Sequence, residues 1–203
     1  SCKKQISFNH YNVTNPYKMV YVSIIDVYKH QWVVAEAISI LKNKSYPVEL
    51  SFIGPSYKPA HEKLNLKMLE IENSKDFIKY LGPISYADLP KIYKEYDLGI
   101  FASSCENMPN ILVEMMASGI PIVCSNRGPM PEILGQSGNF FNPENPKMLA
   151  LLIEDLILNP IERTNTAKFS SKKVKEYSWE VCSKETLSFI REVYQNYEKK
   201  TLE

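Results

Sequence analysis

Short apolar runs alternate with longer amphipathic ones along most of this chain, and that rhythm admits few folds. An apolar run of four to six residues without polar alternation needs cover on both faces, the condition of a strand inside a parallel sheet. The amphipathic stretches between the runs are long enough for the crossover helices that parallel pairing demands. Strands are predicted at residues 19–24, 48–53, 77–81, 98–102, 120–124 and 139–141. Helices are predicted at 31–43, 59–73, 86–95 and 109–118, with a short one at 130–134 and helical segments at 146–158, 161–176 and 179–199. Six strands in this order predict an α/β fold, a Rossmann-like doubly wound parallel sheet followed by C-terminal helices.

At 203 residues, 44% of them hydrophobic, the chain supports one substantial core. Residues 1–18 read as a linker or leader, 19–178 as the domain, and 179–203 as a final helix with a tag-like end. Ser1 and the terminal Leu202-Glu203 read as cloning remnants, so the chain is expected to be a piece of a longer protein. A formal charge of +1 provides no global field for nucleic acid, and any anion site must be local. No stretch approaches the roughly 18 consecutive apolar residues of a membrane span, and the polar start lacks a signal-peptide core. Cys2, Cys105, Cys124 and Cys182 are scattered without a C-x-x-C pair, which favours reduced thiols. Cys105 adjoins Glu106, yet none of His10, His30 and His61 is its sequence neighbour, so a packed loop thiol is expected.

The chemistry is concentrated between Ser103 and Leu134. Glu106 falls in the loop after a predicted strand, and Glu114 falls eight residues on, within a helix that Pro109 is placed to open. Backbone N–H groups near Met108, Asn110 and Ile111 would face the loop and, with the helix dipole, favour a phosphate. Two carboxylates beside an anion site suit a polyol phosphate such as a nucleotide sugar. Ser85 and Asp88 are spaced as a capping box, and Ser178 is placed to cap the last helix, with Trp179, Cys182, Leu187, Ile190 and Val193 near one apolar stripe. Gly54-Pro55 and Gly82-Pro83 end strands at the carboxyl rim of the sheet, where open α/β folds bind ligands.

Glu106, Glu114, the turn Ala117-Ser118-Gly119 with Pro121, and Pro131-Glu132 resemble the motifs of the C-terminal, donor-binding domain of GT-B glycosyltransferases, in particular retaining family 4. The resemblance runs from about Met19 to Tyr197. Lys29 matches the family's lysine, whereas Ser23 and Ile24 stand where a glycine and an arginine are usual. Asn107-Met108-Pro109-Asn110 replaces the usual aromatic-glycine pair after the first glutamate.

The resemblance implies that Glu106 binds donor-sugar hydroxyls and that Lys29 neutralises the diphosphate, the two acting as catalytic groups. Met108, Asn110 and Ile111 would contact sugar or phosphate, Glu114 the ribose hydroxyls, and Gly82, Pro83 and Ile84 the base. It implies no cofactor and no metal, in keeping with the lack of an Asp-x-Asp sequence. The partners are then a nucleotide-sugar donor and a glycan or lipid-linked acceptor held by an N-terminal domain absent from this chain, so the chain alone would be inactive. The expected setting is bacterial surface polysaccharide synthesis in the cytoplasm, with peripheral contact at the inner membrane open to the full-length protein. Two other readings stand beside it: a non-catalytic binding subunit that pairs with a separate acceptor-domain protein, and a GT-B-type nucleotide-sugar epimerase.

Overall fold

The structure, a computed structural model, describes residues 11–201. Cys2, His10, the first ten residues of the segment read as a linker, and Leu202-Glu203 lie outside the described residues. Strands β1 (Tyr17–Val22), β2 (Val48–Ile53), β3 (Ile78–Tyr80), β4 (Leu98–Phe101), β5 (Ile122–Ser125) and β6 (Asn139–Phe141) form one sheet in the order β3-β2-β1-β4-β5-β6. Every neighbouring pair is parallel. This is the doubly wound order, and the chain reverses its direction of travel across the sheet between β1 and β4.

The helices are α1 (Gln31–Asn43), α2 (Lys58–Glu70), α3 (Leu89–Tyr93), α4 (Asn110–Ser118), α5 (Met130–Leu134), α6 (Pro146–Leu158), α7 (Pro160–Lys173) and α8 (Trp179–Thr201). Helix α1 packs against α2 and α6, while α4 packs against α3 and α7. The two groups explain the unalternating strands: Met19, Val20, Tyr21, Leu98, Ile100, Ile122 and Val123 are all buried.

Several boundaries differ from the sequence reading, each for a local reason. Strand β1 starts at Tyr17 because Lys18, exposed in side chain, anchors its backbone N–H on Asp97 Oδ2 at 2.9 Å. It ends at Val22, and Ile24 turns outward. The segment expected as one helix at 86–95 is a 3-10 turn, Tyr86–Asp88, followed by the five residues of α3. The capping box does not form there, because the Asp88 N–H donates to the Ser85 carbonyl at 3.0 Å and the Ser85 hydroxyl makes no cap. Pro109 stands before α4, not in its first turn: its ψ of 86° is not helical, and the helix opens at Asn110.

Ser178 does cap α8, its hydroxyl accepting from the Val181 N–H at 3.1 Å. The stripe beyond it finds no cover among the described residues, with Trp179, Leu187, Ile190 and Val193 all more than half exposed. Among the described residues no helix is long and apolar enough to cross a membrane.

Candidate functional site

The loops leaving β1 and β4 diverge at the switch point of the sheet, and three contacts clip them together. Asp26 starts a 3-10 turn, Val27–Lys29, by accepting the Val27 N–H on its carboxylate at 2.6 Å. The turn presents the Tyr28 carbonyl to the Ser104 N–H at 2.8 Å, and His30 meets the Ser104 hydroxyl at 2.9 Å through Nε2. His30 adopts the left-handed backbone conformation, φ 52°, that lets the chain turn directly into α1. Burial pushes the His30 imidazole below its usual pKa, so the neutral ring that shares a hydrogen bond with Ser104 is favoured.

The third contact is an ion pair between Lys29 Nζ and Glu106 Oε1. Their side chains are only 9% and 15% exposed. The Lys29 ammonium also lies 5.1 Å from the ring centroids of Tyr28 and Phe101, and its backbone carbonyl accepts from the buried Tyr21 hydroxyl at 2.9 Å. Lys29 is enclosed and held at the rim, its ammonium paired with Glu106 and close to two aromatic rings.

Glu114 sits in a different neighbourhood from Glu106. It lines a cavity of about 640 Å³ with Tyr86, Met108, Asn110, Val113 and Trp179. The Tyr86 hydroxyl donates to Glu114 Oε1 at 2.8 Å, while Glu114 Oε2 is sealed from solvent without a partner. The two carboxylates have separate neighbours: Glu106 pairs with Lys29, and neither of those residues lines the Glu114 cavity. The two carboxylates flank the amino end of α4, Glu106 toward β1 and Glu114 toward the start of α8.

The amides expected to be free are partly used. Asn110 N–H donates to the Met108 carbonyl at 3.0 Å, because the Pro109 backbone closes a tight turn. The Met108 and Ile111 N–H groups have no acceptor among the described residues. Gly82, with φ 72°, accepts the Gly54 N–H at 2.9 Å, and Pro83 and Ile84 follow it along the rim. The part of this loop that reaches the cavity is Tyr86, not 82–84.

Cys105 is exposed, not packed, since the backbone that aims Glu106 at Lys29 turns its neighbour outward. Sequence reasoning also missed Tyr86 and Arg127, and it placed Trp179 on a helix stripe but not on a cavity wall. Arg127 follows β5 at the same rim, and its positive charge, like that of Lys63, bears on His30. Its position just after an apolar strand was the available signal. Among the described residues no three His, Cys, Asp or Glu side chains gather as a metal-binding group.

The sheet order is thus 3-2-1-4-5-6, with the Lys29–Glu106 pair held where the loops after β1 and β4 part. The family model described as glycosyl transferases group 1 matches residues 3–173. The chain belongs to that family. Among curated relatives of this group 1 domain, O-antigen chain mannosyltransferase B of Escherichia coli is 26% identical over 143 residues, 70% of this chain and 36% of that protein. Spore coat protein SA of Bacillus subtilis is 26% identical over 178 residues, 84% of this chain and 47% of that protein. The chain thus spans less than half the length of either relative. Among solved structures, Anabaena Alr3699/HepE in complex with UDP and glucose superposes with a TM-score of 0.76 at 20% identity, over 89% of this chain and 49% of that one. At that identity the likeness is one of fold: a Rossmann-like α/β domain.

Proposed function

We propose that this group 1 domain binds the nucleotide-diphospho-sugar donor of a retaining, family 4 hexosyltransferase. The observation that carries the reading is the meeting of Lys29, Glu106 and the amino end of α4 at the switch point of the sheet. Lys29 would move from Glu106 to share its charge with the diphosphate, and the Met108 and Ile111 amides, with Asn110 beside them, would complete the anion site. Glu106, released in part from Lys29, would accept hydroxyls of the donor sugar. Glu114 would accept from the ribose, and Gly82, Pro83 and Ile84 would border the base.

In this reading the departing diphosphate is stabilised by a cation and backbone dipoles already in place, which is how preorganised sites lower barriers. No metal or cofactor is required in it. The acceptor, a glycan or a lipid-linked one, would be held by an N-terminal domain preceding residue 19, and this chain alone would turn over little. A role in bacterial surface glycan synthesis is supported by the name of the O-antigen mannosyltransferase relative, and the protein would work in the cytoplasm. In this reading the donor domain opens at β1 and runs to about residue 178, with the α8 segment after it.

The test is calorimetric titration of the chain with UDP, GDP, ADP and their sugar conjugates, first with EDTA and then with magnesium. Saturable binding of one nucleotide that EDTA does not abolish is expected; binding that appears only with magnesium removes the metal-free reading. Glu114→Gln is expected to weaken that nucleotide by about 1–3 kcal/mol, the range for a hydrogen bond to a charged group. Unchanged affinity in the variant would remove Glu114 from the ribose site.

A further inference from the structure

A cavity of about 650 Å³ opens at the amino edge of the sheet, the edge opposite Lys29 and Glu106. Asp97 and Pro121, which lead into β4 and β5, stand on one side of it, and α7 stands on the other. Lys168 and Lys172 recur at helical spacing along α7, and Lys175 follows in the turn behind it. All three are exposed, and none has a carboxylate partner among the described residues. The Ser171 hydroxyl, also in the lining, makes no bond among the described residues. It faces Gly119, where an added Cβ would stand 3.5 Å from its oxygen.

Arg163 is the fixed cation of the group. Its guanidinium carbon lies 5.6 and 5.8 Å from the ring centroids of Tyr11 and Tyr17, and Nη1 donates to the Leu156 and Ile157 carbonyls at the end of α6. The remaining N–H groups of the fork have no acceptor among the described residues. The one carboxylate in the lining is Asp97, and both its oxygens are taken, by the Tyr11 hydroxyl at 3.1 Å and the Lys18 N–H at 2.9 Å. A chain with 24 basic and 23 acidic residues thus sets four cations against one engaged acid around a single cavity. A held guanidinium with donors unspent, beside free ammonium groups, suits phosphate oxygens. Lys168 and Lys175 are separated by about 10 Å along the helix axis, more than one phosphate spans.

We propose that this cavity is an anion site for a ligand with two or more phosphate groups, free in solution or borne by a lipid headgroup. It is independent of the donor reading, because none of its residues belongs to the switch point.

The chain and its Lys168→Gln/Lys172→Gln/Lys175→Gln variant are titrated calorimetrically with inorganic pyrophosphate. Both are also sedimented with phosphatidylcholine vesicles prepared with and without cardiolipin, whose headgroup carries two phosphates. The three positions are exposed and glutamine is a good helix former, so the two proteins are expected to unfold at the same temperature. The unaltered chain is expected to bind pyrophosphate or the cardiolipin vesicles, and the variant to bind the same probe roughly tenfold more weakly, as three exposed charge contacts of modest worth allow. The probe that responds names the source of the phosphates. Binding of neither probe overturns the site. Binding that the variant retains in full overturns it too, since the phosphates are then held elsewhere, as pyrophosphate at the switch point would be.

Discussion

Replacing Lys29 with methionine is expected to destabilise the folded domain by about 3 kcal/mol, the cost of stranding one member of an enclosed ion pair. Methionine keeps most of the length of the lysine stem, so the change is chiefly the loss of the charge. What remains is a Glu106 carboxylate whose side chain is 15% exposed and whose cation is gone. Glu106→Gln strands the Lys29 ammonium in the same way. Combining the two removes both charges together, and the double variant is expected to regain most of the stability that either single change loses. Urea unfolding of the four proteins closes the cycle, and strictly additive losses would show that the pair is not coupled.

Gly54→Ala is the second large effect, about 3 kcal/mol or more, and here the cause is backbone. Gly54 has φ 140°, a conformation that side-chain-bearing residues rarely adopt, and a Cβ there would stand 2.2 Å from the Ser23 carbonyl oxygen. Neither neighbour can yield cheaply. The Gly54 N–H is held by the Gly82 carbonyl, its own carbonyl accepts from the Tyr80 hydroxyl at 2.9 Å, and Ser23 pairs with the Ile53 carbonyl. Relief would shift the ends of β1, β2 and β3 at once. Gly82→Ala is the internal comparison. Its φ of 72° also carries strain, but nothing lies within 4 Å of the added methyl, so a loss of only about 1–2 kcal/mol is expected. Thermal unfolding of the pair separates the two causes; equal losses would leave the clash at Gly54 without weight.

The strands were readable because a central parallel strand has no polar face, and β2 and β6 fall where their apolar runs predict. Boundaries failed where a single contact outweighs the pattern. Lys18 looks like a strand breaker until Asp97, far along the chain, is seen to anchor its N–H. Pro109 looks like a first-turn residue until its carbonyl is found accepting the Leu112 N–H at 2.9 Å from a non-helical position. Within the site, Lys29 and Glu106 were each singled out, but not as partners. Their pairing follows from β1 lying beside β4 in the sheet, and no local spacing encodes it. The same applies to Tyr86 and Glu114, which meet because the turn before α3 packs onto α4. Helical spacing alone would have placed Tyr86 on the outer face of a longer helix, and it was the 3-10 turn that re-aimed it.

The chain has two indoles, and the fold places them in contrasting surroundings. Trp32 is half-buried in α1 beneath the Lys63 ammonium, 3.7 Å from its ring centroid, remote from the cavity lining. Trp179, the first residue of the uncovered α8, is 84% exposed and stands on the wall of the Glu114 cavity. The emission of Trp179 is expected to be red-shifted by solvent relative to that of the half-buried Trp32. Of the two, Trp179 lines the Glu114 cavity and is an optical marker for whatever comes to rest against α8.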